Sequence, residues 1–138
     1  PVKELIITGH SMGSTTAQLT GALACKEGWF EKVIVSCSAS PRFGTAGFKT
    51  WYDQLRSEKP HHMLNDYTWR FTNRNDIVPK LPAAPYTEMG TEVWFEEKNG
   101  AEHNPCCTYS YAINNPDKTH NPDINDCEFP TPAIPPKP

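Results

Sequence analysis

Leu5-Ile6-Ile7-Thr8-Gly9-His10-Ser11-Met12-Gly13 is the stretch on which the reading of this chain turns. The consecutive Leu5, Ile6 and Ile7 suit a strand over residues 3–8 that is buried on both faces of a parallel sheet, and Gly9 ends it. From Met12 to about Lys26 the residues suit a helix, in which Gly13, Ala17, Thr20 or Gly21, and Ala24 recur at three- or four-residue spacing. A face of small side chains lets such a helix lie close on a sheet. A bare Gly-x-Ser-x-Gly arises by chance in roughly one chain in twenty of this length, so context has to decide. Here it follows an apolar strand and opens a helix, the setting in which the serine occupies a tight, strained turn with its Oγ above the sheet. Both Gly9 and Gly13 are expected to be sterically required by that turn. Positive potential at the helix N-terminus, together with the Met12 N–H, would suit an oxyanion forming on a substrate carbonyl. The plainer alternative is that Ser11 merely caps the helix. A phosphate-binding turn fits poorly, because neither Gly-x-Gly-x-x-Gly nor Gly-Lys-Ser/Thr follows a strand.

Working outward, Gly28 stops the helix, and Lys32-Val33-Ile34-Val35-Ser36 is a second β-branched run, which completes a βαβ unit. Phe48, Trp51, Tyr52 and Leu55 predict an amphipathic helix over residues 46–57. Tyr67, Trp69 and Phe71 alternate with polar residues, which predicts a third strand over residues 66–72, and residues 92–96 suit a fourth. From Lys98 onward the chain becomes polar and rich in Asn and Pro. One domain over residues 1–129 is expected, with residues 130–138 a Pro-rich, extended tail.

Composition narrows the function classes. With 138 residues, a net charge of -3 and scattered Lys and Arg, the chain is long enough for one modest core and has no electrostatic footprint for nucleic acid. A mean hydropathy of -0.62 and the lack of any long apolar run argue for a soluble chain without a transmembrane helix. Pro1 opens directly onto a strand, so an upstream part is expected to be missing. Of the five cysteines, Cys25 and Cys37 read as buried, whereas Cys106, Cys107 and Cys127 lie where a disulfide would staple a core-poor segment. That points towards an extracellular protein. The spacing of His and Cys suggests no metal site, and no cofactor is expected.

Several motifs together resemble the class 3, fungal-type lipase family. Ile7-Thr8-Gly9-His10-Ser11-Met12-Gly13 resembles its nucleophile elbow, Ser40-Pro41-Arg42-Phe43-Gly44 its "PRVG" loop, Phe71 to Pro82 its acid loop, and Glu92-Val93-Trp94 the strand that follows. The resemblance covers residues 3 to about 96. It implies an α/β-hydrolase three-layer sandwich with a mostly parallel sheet, present only in part because the N-terminal strands, the lid and the second oxyanion donor precede residue 1. It further implies a serine hydrolase that cleaves acylglycerol-type lipid esters through an acyl-enzyme on Ser11, with transient contact to a lipid interface. Asp76 would be the triad acid, holding the base in one tautomer and stabilising its imidazolium. A turn aspartate capping its own loop is the plain alternative for Asp76. The resemblance gives His10 a local packing and hydrogen-bonding role, and it is tethered too tightly beside Ser11 to act as the base.

The base departs from the family pattern. The family histidine lies in a segment like Pro-Asp-Ile-x-x-His-x-x-Tyr-Phe, and in Pro122-Asp123-Ile124-Asn125-Asp126-Cys127 a cysteine stands in its place. A thiol with a pKa of ~8.5 does not replace imidazole as a proton shuttle. His120, seven residues before Cys127, is the leading nomination, and His103, 27 residues after Asp76, is the other. If neither serves, the chain is an inactive relative that binds lipid or a protein partner, or a product that has lost its base segment. A carboxylesterase or feruloyl-type esterase is a further reading. With its sheet neighbours missing, the strand at residues 3–8 would leave an apolar edge, and the isolated chain is expected to be poorly soluble or poorly active.

Overall fold

The computed structural model describes residues 3–57 and 62–116. Four parallel strands, β1 (Glu4–His10), β2 (Lys32–Ser38), β3 (Thr68–Asn73) and β4 (Thr91–Phe95), pair in the order β1-β2-β3-β4. Ile7 pairs with Val35, Val35 with Thr68, and Phe71 with Val93. Each parallel pair needs a crossover, and α1 (Met12–Lys26) supplies the first and α2 (Ala46–Gln54) lies in the second. The α/β class expected from sequence is therefore the observed one.

Small residues decide how close α1 comes to the sheet. Ser14, Ala17, Gln18, Gly21, Ala22, Ala24 and Cys25 form its buried face. A Cβ on Gly21 would stand 2.7 Å from Val35 Cγ2, so a side chain there would push the helix off the strand. Val33, Val35 and Cys37 are buried beneath α1, and each fully buried valine contributes about 1.5–3 kcal/mol.

On β3 the buried set is the polar one. Thr68, Arg70 and Thr72 are buried, whereas Trp69 is 40% exposed. The helical side of the sheet satisfies Thr68 and part of Arg70: the Thr68 hydroxyl donates to Leu64 O at 2.9 Å and meets Tyr52 Oη at 2.8 Å, and Arg70 Nε donates to Met89 O at 2.7 Å, whereas the Thr72 hydroxyl and Arg70 Nη1 are buried with no hydrogen-bond partner among the described residues. On the opposite side Phe71, Val93, Phe95, Tyr111 and Ile113 line a cavity of about 410 Å³. Two boundaries also differ from expectation. The helix α2 ends at Gln54, because Leu55 turns extended and its carbonyl accepts from Leu64 N–H at 3.0 Å. Tyr67 belongs to a 3-10 turn, Asn65–Tyr67, which sets up the start of β3.

The stretch after Lys98 is more ordered than its polarity suggests. Pro105–Ser110 forms a π-helical turn that runs into a short helix, α3 (Tyr111–Asn114), and Cys107, Thr108 and Tyr109 are buried within it. The expected tail at residues 130–138 and the boundary at residue 129 lie outside the described residues.

Candidate active site

The elbow is a local product of β1 and α1. Ser11 has φ 56° and ψ -128°, a left-handed backbone that a non-glycine residue holds only under constraint. The constraint comes from β2: Ser11 N–H donates to Ser38 O at 3.0 Å, and the Ser14 hydroxyl lies 2.8 Å from both Gly9 O and Ser38 O. Ser14 escaped the sequence reading, where it looked like one more small helix residue. A Cβ on Gly9 would run into the Gly13 carbonyl, as expected. Gly13 itself has open space around its Cβ position, which corrects the expectation that both glycines are sterically required. Close packing at the elbow is borne by Gly9 against the Gly13 backbone, so only one of the two must lack a side chain.

Asp76 follows β3 and is 1% exposed. Its Oδ1 accepts from Val78 N–H at 2.9 Å, the local turn bond anticipated for such an aspartate. Its Oδ2 faces inward and takes two further bonds, from His103 Nδ1 at 2.7 Å and from the Tyr109 hydroxyl at 2.8 Å. Burial pushes the Tyr109 phenol well above its ordinary pKa, and the neighbouring carboxylate adds to this against the Asn73 N–H, so the hydroxyl remains a neutral donor.

His103 joins the two halves. Its Nε2 lies 2.9 Å from Ser11 Oγ, while Nδ1 engages Asp76. A carboxylate only accepts, so Nδ1 carries the proton and the Nε2 lone pair faces the serine hydroxyl. An uninterrupted relay, Ser11 to His103 to Asp76, is therefore formed. His120, the leading sequence nomination, lies outside the described residues, as does Cys127. His103 is the imidazole between Ser11 and Asp76. It rides on a loop after β4 that is tied down by side chains: Asn73 Nδ2 donates to Glu102 O at 3.1 Å, the Thr108 hydroxyl to Ala101 O at 2.8 Å, and Asn104 Oδ1 accepts from Cys106 and Cys107 N–H, each at 2.9 Å. Cys107 is disulfide-bonded, whereas Cys25, Cys37 and Cys106 are free thiols. Burial raises Cys25 and Cys37 to about 11, so both stay protonated and inert, as structural cysteines do.

The Met12 N–H is the first of α1 and has no acceptor within the helix, which leaves it available beside Ser11 Oγ. Its side chain is 71% exposed, and Ile77, next to the acid, is 60% exposed, so apolar groups flank the relay. Among the described residues no cluster of His, Cys, Asp and Glu could hold a metal ion, and no helix is long and apolar enough to cross a membrane.

The profile of the class 3 lipases matches residues 1–86, well over half of the chain. The chain belongs to the class 3 lipase family. It is similar, at 30% identity over 103 residues, to the secreted mono- and diacylglycerol lipase A of Penicillium cyclopium, covering 73% of this chain and 30% of that protein. A rice protein (Oryza sativa subsp. japonica), phospholipase A1-II 6, is 32% identical over 101 residues, covering 64% of this chain and 23% of the relative. The solved structure of Rhizomucor miehei lipase in its propeptide complex superposes with a TM-score of 0.55 at 27% identity, over 67% of this chain and 28% of that one. The class 3 chain thus spans about 30% of the length of the first curated relative it matches, and its fold is that of a partial α/β-hydrolase lipase domain.

Proposed function

We propose that this lipase-family chain carries the acyl-transfer machinery of a serine hydrolase acting on carboxylic esters of lipids. The single observation that supports this most strongly is the Ser11–His103–Asp76 relay, with bonds of 2.9 and 2.7 Å. Ser11 Oγ attacks the ester carbonyl as its proton passes to His103 Nε2, and Asp76 Oδ2 stabilises the imidazolium through Nδ1. The oxyanion of the tetrahedral intermediate accepts from Met12 N–H. Collapse breaks the bond to the alcohol, which leaves with the proton from His103, and an acyl group remains on Ser11. Water then enters with His103 as base, and the carboxylic acid departs. In this reading the base is His103 and not His120, and the inactive, binding-only alternative loses its motive.

The family membership and the secreted Penicillium relative support a lipid ester as substrate and an extracellular setting, with the disulfide at Cys107 in keeping with the latter. The exposed Met12 and Ile77 offer apolar contact to an acyl chain or a lipid interface. The two relatives are named for different headgroups, so diacylglycerol and phospholipid are the substrates to compare. Fluorophosphonate labelling of the full-length protein tests the mechanism. Labelling lost in Ser11→Ala and in His103→Ala is expected; labelling that survives Ser11→Ala overturns it.

A further inference from the structure

His10 sits next to the nucleophile, yet its ring reaches across to the base. Its Nε2 lies 2.9 Å from the main-chain oxygen of His103, and its Nδ1 lies 2.9 Å from Ser38 Oγ. A carbonyl oxygen only accepts, so Nε2 must carry the proton. The neutral ring then has a lone pair at Nδ1, and the Ser38 hydroxyl donates to it. Burial and the neighbouring His103 both lower the His10 pKa, against weaker upward pulls from the His103 backbone bond and from Asp76, which keeps the ring neutral. The ring also packs 4.8 Å from the His103 ring and edge-on to Tyr109 at 5.3 Å.

The geometry has a purpose that packing alone does not require. Ser11 and His103 are separated by 92 residues and arrive on different elements, one on a strand-helix turn and the other on a loop. We propose that His10 is a positioning residue for the active site put forward above: as a neutral Nε2–H tautomer, it holds the His103 carbonyl and so fixes the base imidazole relative to the Ser11 hydroxyl carried on its own turn. Ser38, which also receives the elbow's N–H through its carbonyl, sets the tautomer from the other side. The nucleophile turn thereby grips the base loop through the residue adjacent to the nucleophile, and misplacement of about 1 Å in such a pair costs on the order of 100-fold in rate.

His10→Leu and His10→Gln in the full-length protein separate this role from plain packing, since the Gln amide can place an N–H near the position of Nε2. The expected result with a soluble short-chain nitrophenyl ester is a kcat lowered about 10- to 100-fold in His10→Leu, with KM within about twofold, and recovery to within about threefold of the parent in His10→Gln. Equal kcat in parent and His10→Leu overturns the proposal, as does a Gln variant no better than Leu. Nitrogen-15 NMR of the ring reads the tautomer without turnover: a protonated Nε2 with an unprotonated Nδ1 at neutral pH is expected, and the reverse tautomer sinks the idea. If the parent does not react with fluorophosphonate, the serine-hydrolase reading fails. A normally labelled parent with an unaffected His10→Leu defeats only the positioning role.

Discussion

The elbow and the base loop meet at two hydrogen bonds, Ser11 Oγ to His103 Nε2 and His10 Nε2 to the His103 carbonyl, but they are built on opposite principles. The elbow is continuous in sequence: a strand, a five-residue turn and a helix, closed by Gly9 against Gly13 and fastened to β2 by Ser11 N–H and the Ser14 hydroxyl. The base loop has no such local grammar. Its histidine is held by bonds from Asn73, Thr108 and His10, residues that sit 30 and 93 positions before it and five after it in the chain. The contrast teaches that a strained nucleophile can be written into a short segment, whereas a base on a loop has to be held from elsewhere.

The most severe way to break the comparison is to remove one member from each side. Ser11→Ala and His103→Ala are each expected to lower kcat by about 10⁴-fold or more, because groups that act as a unit fail together. His120→Ala is expected to leave ester hydrolysis within about twofold, and steady-state kinetics on the three variants settles which imidazole is the base.

Within the elbow, the two glycines should part company. Gly9→Ala forces a Cβ into backbone and is expected to cost about 3 kcal/mol or more in unfolding free energy. Gly13→Ala has open space inside a helix, so denaturant melts should find it neutral or stabilised by up to about 1 kcal/mol. If both variants melt alike, the account of the turn is wrong.

On the base-loop side, Tyr109→Phe removes a donor to Asp76 Oδ2 and leaves the buried Asn73 N–H without its acceptor. A loss of about 1–3 kcal/mol in stability is expected, with kcat lowered about tenfold and Ser11 still present and strained. The smallest effect concerns pH. His10 has a folded-state pKa below its ordinary 6.5, so the unfolded chain binds its proton first, and stability declines as pH falls below about that value. His10→Gln should flatten that part of the stability profile, read from melting temperatures between about pH 7 and 5.

Most of the fold was legible because its signals are local. Leu5, Ile6 and Ile7, the β-branched run at residues 32–36 and the small face of α1 report strands and a closely packed helix through side-chain size and shape. Composition misled where polar residues are buried. Thr68, Arg70 and Thr72 are the polar half of the β3 alternation and are nevertheless buried, and the partners of Thr68 and Arg70, which are Tyr52, Leu64 and Met89, come from other segments. Residues after Lys98 read only as polar and rich in Asn and Pro, because Asn104 and Thr108 form a capped, buried turn whose bonds no periodicity announces.

The sequence by itself pointed to the α/β class through a βαβ pattern, to the family through motifs spread over residues 3–96, and to Ser11 and Asp76 as candidates within their own short loops. The imidazole that completes the relay was left between two histidines. Only the tertiary structure brought His103 to 2.9 Å from Ser11 and 2.7 Å from Asp76, because that approach depends on long-range bonds from Asn73, Tyr109 and His10 rather than on any local preference of the chain.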